Sequence, residues 1–303
     1  MKKWSANRRN TVFAAVSSWG LDAFDFFLLI FVIDNIADSF HASNADVSIA
    51  IFLTLAMRPI GAVFIGKMAE KYGRKPVLMA NVATFSILSA LSAFAPTLSI
   101  FILIRCIYGV AMGGIWGVAS SLAFETIPSH AKGFVSGLFQ AGYPLGYLTA
   151  SVIYALFFNS LGWQYLFIIG TFPILLVVFI YFFVEESSTW LKNKSAQKTT
   201  IAIMPIIRSN WNICIYAIIL MACFNFFSHG TGDVYPLFLK EQHHFSPFYV
   251  SAIAIAYNIS SIMGGLFFGY LSEKIGRPQS IIIACVGAIL FVPLWAFSSG
   301  LWS

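Results

Sequence analysis

The sequence predicts an all-α membrane protein built from two related halves, and three observations carry that prediction. First, 59% of the 303 residues are hydrophobic and only 10% are charged, with a mean hydropathy of +0.81. A soluble domain carries about 25% charged residues, so this chain cannot clothe itself in a water-compatible surface. Second, the apolar residues fall into nine long runs separated by short polar turns. Third, Gly-x-x-x-Glu-Lys-x-Gly-Arg occurs twice, at 66–74 and at 269–277. Self-similarity at that spacing is the mark of a duplicated architecture.

The runs lie at about 11–34, 46–69, 77–95, 98–125, 131–158, 163–184, 210–236, 247–271 and 279–299. Each is near the ~20 residues that span ~30 Å of hydrocarbon. Backbone polar groups cannot stay unpaired in lipid, so the runs are expected to be helices. Turns such as Ala95-Pro96-Thr97 and Ser160-Leu161-Gly162 separate them. The basic start, Met1 to Asn10, precedes a run too long for a signal peptide and without a small-residue cleavage site, so it reads as an uncleaved first span.

Basic residues set the expected orientation. With the N-terminus cytoplasmic, 15 of the 18 Lys and Arg fall in inside segments, Lys240 alone falls outside, and Arg58 and Arg105 lie within spans. The positive-inside rule then places the N-terminus in the cytoplasm and the C-terminus outside. This topology accounts for the net charge of +6 and removes any reason to invoke nucleic acid. Residues 185–208 form the one long polar connection, read as a cytoplasmic linker between a six-helix half at 1–184 and a second half at 209–303. Cys106, Cys214, Cys223 and Cys285 lie inside apolar runs without metal-ligand spacing and read as small buried residues. No phosphate loop, metal constellation or nucleophile with its base is present, so neither an enzyme nor a cofactor is expected.

Charge inside a span is costly and therefore a functional candidate. Asp22 and Asp25 sit at i, i+3 on one face of the first span. Two carboxylates on one dry face cannot both ionise cheaply. They read either as proton-coupling groups or as structural pairs with a neighbouring helix. Arg58 lies eight residues before Gly66, roughly 12 Å from that turn. Its forked guanidinium suits a carboxylate substrate, with an internal salt bridge to Asp22 or Asp25 as the alternative. The repeat offset pairs Asp22 with Asn225, Asp25 with Ser228 and Arg58 with Ser261. A site between the halves would then have a charged wall and a hydrogen-bonding wall. Asn225, Ser228, His229 and Asp233 share one face of the seventh span, and His229 is the side chain best able to titrate near neutral pH. Gln140, Gly142 and Gly146 read as close packing beside the pathway, and Gly142-Tyr143-Pro144 permits a bend. The repeated loop, with Gly66, Glu70, Lys71, Gly73, Arg74 and Lys75 in one copy and Gly269, Glu273, Lys274, Gly276 and Arg277 in the other, reads as a cytoplasmic gate that does not touch substrate.

Together the two loop motifs, the central linker and Arg105-x-x-x-Gly109 in the fourth run resemble the major facilitator superfamily. Three further stretches, Leu21-Asp22-Ala23-Phe24-Asp25-Phe26-Phe27, Ala56-Met57-Arg58-Pro59 and Ser136 through Pro144, resemble its sialate/carboxylate:proton symporter family. Residues 225–236, Asn-Phe-Phe-Ser-His-Gly-Thr-Gly-Asp-Val-Tyr-Pro, are similar to the helix-7 motif of the lactate/pyruvate permease branch. Gly232 stands where that motif has Gln, and Ile115 stands where relatives usually place Glu. The resemblance implies a complete six-helix N-half plus the first three helices of the C-half. It implies a multi-pass protein of the cell (inner) membrane that takes up a small carboxylate with a proton by alternating access. It implies substrate contacts from Arg58, Asn225, Ser228, His229 and Gln140, and proton coupling through Asp22, Asp25, Asp233 and Arg105. On the repeat spacing the second half is expected to be short by roughly 84 residues, so a truncated, transport-inactive relic is the alternative expectation.

Overall fold

The computed structural model describes residues 4–195, 205, 208–232, 239 and 247–296, and every described element is helical. In chain order they are α1 (Ala6–Phe31), α2 (Ile33–Ser39), α3 (Asn44–Tyr72), α4 (Arg74–Ala93), α5 (Leu98–Thr126), α6 (Lys132–Gln140), α7 (Gly142–Leu161), α8 (Trp163–Ile169), α9 (Ile174–Phe183), α10 (Ser188–Ser195), α11 (Trp211–Gly232), α12 (Pro247–Ile275) and α13 (Arg277–Ala296). Among the described residues six helical stretches are long and apolar enough to cross a membrane: Ala6–Phe31, Asn44–Tyr72, Arg74–Ala93, Leu98–Thr126, Ser129–Phe158 and Trp163–Phe183. They coincide with the first six runs. The last three runs appear as α11, α12 and α13.

Local chemistry sets the boundaries. Ser43 and Asp46 form a reciprocal capping box at the start of α3, and Thr97 accepts from the Ile100 amide to cap α5. Gly73 ends α3 with φ of 113° and Gly276 ends α12 with φ of 91°. Only glycine takes that backbone readily, so each copy of the repeated motif makes the same reversal into the next helix. The fifth run is broken at Ala141, between α6 and α7, where the Gly142-Tyr143-Pro144 bend is expected. The sixth run, expected to be continuous, is broken at residues 170–173, where Gly170 and Pro173 flank a turn.

Two compact units are present. Unit 1 comprises Met1–Lys198 with Ser261–Ser280, and unit 2 comprises Thr199–Ser260 with Ile281–Ser303. Within unit 1, α1 is the central element, with Ala15, Ala23, Leu28 and Leu29 fully buried. Its buried Thr11 and Ser18 hydroxyls donate to carbonyls four residues back, which satisfies them inside the helix. Segment 185–195, expected to be linker, carries α10 at its end and is held to the rest of unit 1 by Glu186, Ser187 and Trp190.

The seam between α3 and α5 runs on glycine. A Cβ on Gly61, Gly109 or Gly113 would lie 1.9, 2.2 or 2.0 Å from the carbonyl oxygens of Val110, Thr54 and Arg58 respectively. The two backbones therefore touch directly, as small residues allow in membrane helices. Outward faces are apolar, with Phe52, Phe64, Leu103 and Phe182 exposed. The cysteines, expected to be buried, are intermediate or exposed (Cys223). Lipid accepts a thiol on such a face as readily as a protein core does.

Candidate functional site

The centre of unit 1 holds an ion pair. Asp25, on α1, is fully buried and its Oδ2 accepts from Nη1 of Arg105 on α5 at 2.8 Å. Its Oδ1 accepts from the Ser89 hydroxyl on α4, which also lies 3.0 Å from the Phe167 carbonyl oxygen. The Arg105 guanidinium is clad in rings, 4.4 Å from the Phe167 centroid, 4.9 Å from Tyr108 and 5.7 Å from Phe101. Cation–π attraction partly replaces lost hydration, yet Nε and Nη2 of Arg105 have no hydrogen-bond partner. The α8–α9 break makes room for the pair, because a Cβ on Gly170 would lie 2.7 Å from Asp25 Oδ1.

Asp22, one turn earlier, is also fully buried but has different partners. The Tyr108 hydroxyl lies 3.2 Å from the Asp22 carbonyl oxygen and 3.4 Å from Oδ1. The second carboxylate oxygen has no partner. Tyr108 thus touches Asp22 with its hydroxyl and Arg105 with its ring, which links the two acidic positions.

Arg58 is half-buried, with its guanidinium carbon 5.7 Å from the Trp19 ring centroid. Neither of the two ion pairs found among the described residues, Arg74–Glu125 and Arg105–Asp25, involves it. Trp19 stacks on Phe139 and Tyr143, and Phe27 meets Tyr143 and Tyr147 edge-on. Gln140 Oε1 accepts from the Trp116 indole N–H at 3.1 Å. The result is an aromatic wall with one cation and one amide on it. Thr54, one turn before Arg58, donates within 3.0 Å of the Arg105 carbonyl oxygen, which ties the two arginine-bearing helices together at that level.

The remaining candidates divide. Asn225, Ser228 and His229 lie on α11, in unit 2, with their side chains outside the described residues. Asp233 lies outside the described residues altogether.

The repeated motif builds a second locus, at the ends of α3 and α12. Arg74 Nη2 pairs with Glu125 Oε1 at 3.3 Å, and Nη1 donates to the Ala69 carbonyl oxygen at 3.0 Å. Glu186 accepts from the Arg74 and Lys75 amides at 3.0 and 3.2 Å, so a carboxylate caps the start of α4. Ser187 bonds Glu125, and the Trp190 indole donates to the Glu70 carbonyl oxygen. Lys71 lies over Tyr72. In the second copy Glu273 accepts from the Gly133 and Phe134 amides at 2.7 and 3.1 Å, capping α6. Lys274 lies over Tyr270. Gly66 and Gly276 face open space, while Gly269 packs on Gly133 and Gly137. Arg277 opens α13. None of these residues contacts the central pair.

Sequence reasoning missed Ser89, Tyr108, Trp19, Glu125 and Glu186. Glu125 and Glu186 carried a readable signal, since the chain holds only 12 acidic residues. Ser89, Tyr108 and Trp19 are indistinguishable by sequence from other small or aromatic residues in apolar runs.

Comparison with known proteins agrees with this architecture. The sialic acid transporter NanX of Escherichia coli strain K12 is 27% identical over 300 residues, covering 98% of this chain and 73% of that one. A carboxylic acid transporter protein homolog of Saccharomyces cerevisiae is 28% identical over 309 residues, covering 94% and 50%. The cis,cis-muconate transport protein of Acinetobacter baylyi is 25% identical over 285 residues, covering 91% and 69%. Among solved structures, the proton:xylose symporter XylE bound to 6-bromo-6-deoxy-D-glucose superposes with a TM-score of 0.73 at 16% identity. It covers 89% of this chain and 70% of that one, which shows a common fold. Residues 16–303 match the Major Facilitator Superfamily profile, and the chain belongs to that family.

Proposed function

We propose that this chain serves secondary active uptake of a small carboxylate with a proton, by alternating access, in the cell (inner) membrane. The observation that carries the reading is the pairing of functions across one interior. Arg58 offers a half-buried guanidinium on an aromatic wall, and Asp22, on the same helix as Trp19, has an oxygen without a partner. A guanidinium fork binds a carboxylate in bidentate fashion, and a fully buried carboxylate takes up a proton at low cost. Arg58 is the substrate anchor, with Gln140 beside it. Asn225, Ser228 and His229 are proposed to add hydrogen bonds to the substrate. Asp22, Asp25 and Asp233 exchange protons, and Arg105 holds Asp25 between turnovers. The substrates named for the relatives, sialic acid, carboxylic acids and muconate, are all acids. Lactate, pyruvate and sugar acids are therefore the first to try.

In this reading residues 1–184 form the first half, 185–208 the linker and 209–303 the second. The N-terminus and the motif ends face the cytoplasm, and the C-terminus lies outside. The loop motif latches helix ends in one access state and releases them in the other.

The test is uptake of labelled lactate, pyruvate or a sugar acid into cells or proteoliposomes carrying the full chain, driven by an inward proton gradient. Uptake should collapse with a protonophore and with Arg58→Ala. Asp22→Asn should retain counterflow exchange while losing the proton drive. Undiminished uptake by Arg58→Ala would remove Arg58 from the substrate site.

A further inference from the structure

We propose that a groove on the outer face of unit 1, between α1, α7 and α9, binds one acyl chain of an anionic glycerophospholipid whose headgroup phosphate sits on Arg9. The groove has a volume of about 430 Å³. Phe13, Ser17, Gly20, Gly146, Leu175 and Phe179 line it, and the Ser17 hydroxyl is the single polar side-chain group on its walls. Its floor is backbone. A Cβ on Gly146 would lie 2.4 Å from the Gly20 carbonyl oxygen, so α1 and α7 cross without side chains between them and leave a furrow above the crossing. Its wall is α9 and the turn before it, where Leu175 and Phe172 are 56% and 63% exposed. From Phe13 to Leu21 the groove runs roughly 12 Å along α1, most of one leaflet's share of the ~30 Å hydrocarbon core.

The charge at its mouth selects the occupant. Arg9, Phe13, Ser17 and Gly20 fall at i, i+4, i+8 and i+11, a single helix face. Phe13 meets Phe179 edge-on at 5.2 Å, and Asn10 Nδ2 donates to the Phe183 carbonyl oxygen. The Phe13 end of the groove is therefore the end where α1 begins and α9 stops. Arg9 is exposed there and belongs to neither ion pair found among the described residues. Glu185, the acid at this end, is engaged by the Asn7 amide at 2.8 Å. An apolar slot opening under an exposed guanidinium fits an acyl chain joined to an anionic phosphate, since interfacial Arg attracts anionic lipid. A second groove, of about 420 Å³ between α4 and α9, has Lys75 at its edge. There the ammonium donates to the Tyr181 carbonyl oxygen at 2.9 Å and lies over the Tyr181 ring, so the charge is already engaged.

The experiment measures lipid retained by the purified full chain in detergent, by mass spectrometry, after exposure to phosphatidylglycerol or phosphatidylcholine of the same acyl composition. The expected result is a several-fold preference for phosphatidylglycerol. Arg9→Gln should abolish that preference while leaving phosphatidylcholine retention unchanged. Ser17→Leu, which fills the groove, should lower retention of both. A phosphatidylglycerol carrying a photoreactive group on its acyl chain should label residues 13–21 and 172–179 of the unaltered chain. Preference surviving in Arg9→Gln would overturn the headgroup assignment. Undiminished retention in Ser17→Leu, or labelling spread evenly over the helices, would overturn the groove, leaving lipid as bulk solvent only.

Discussion

Arg105–Asp25 and Arg74–Glu125 are both arginine–carboxylate pairs bridging different helices, yet they live in different solvents. The central pair is 1% and 0% exposed, and two guanidinium nitrogens lack partners. The motif-end pair is 17% and 21% exposed, and its neighbours, Glu186, Ser187 and Trp190, complete a connected network. A fully desolvated pair is weak evidence for stability and strong evidence for function, because apolar residues would hold the same helices together at lower cost. A half-solvated network at a helix end does the opposite. Its bonds are individually modest, but they fix a turn.

The largest expected effect tests that contrast directly. Arg105→Met strands Asp25 in the interior and should cost about 3–5 kcal/mol, read as the loss of unfolding free energy in detergent. The double variant Arg105→Met with Asp25→Leu should recover most of that loss. Arg74→Met should cost only about 1 kcal/mol, and a loss equal to that of Arg105→Met would erase the distinction between the two pairs. Next come the two glycines that make the same turn. Gly73→Ala and Gly276→Ala both meet the left-handed penalty of about 1–2 kcal/mol. At Gly73 the new Cβ would also lie 2.2 Å from Glu186 Oε2, while at Gly276 nothing is within 4 Å. Melting temperatures should therefore fall further for Gly73→Ala, and equal shifts would show that Glu186 contributes nothing at that turn. The smallest effect is Glu273→Ala, which uncaps α6 at a cost of about 1 kcal/mol. Protease sensitivity at 129–134 is the readout, and it should rise in that variant and not in Glu186→Ala.

Legibility in the sequence followed chemical contrast. Asp22, Asp25, Arg58 and Arg105 were visible because a charge inside an apolar run is costly and stands out. Gly73 and Gly276 were visible because the motif occurs twice. The assignment of Arg105 to Asp25, and not of Arg58 to either acid, was invisible, because it depends on how α5 and α3 rotate against α1. Ser89 escaped for a related reason: serines in α4 mostly bond their own helix, as Ser86 and Ser92 do, and only the packing reveals that Ser89 reaches another. The break at Gly170–Pro173 lay inside an unbroken hydrophobic stretch, and hydropathy does not register backbone geometry.

The glycine seam between α3 and α5 has a mechanical consequence. Side-chain contacts can slide by changing rotamer, whereas a carbonyl resting on a Cα has no such freedom. The Arg58 carbonyl rests on Gly113, and Thr54 meets both Gly109 and the Arg105 carbonyl. The two arginines are thus mounted on one stiff double rod. A displacement imposed on one of them is passed to the other through backbone contact, with Pro59 the point in α3 where the rod can bend.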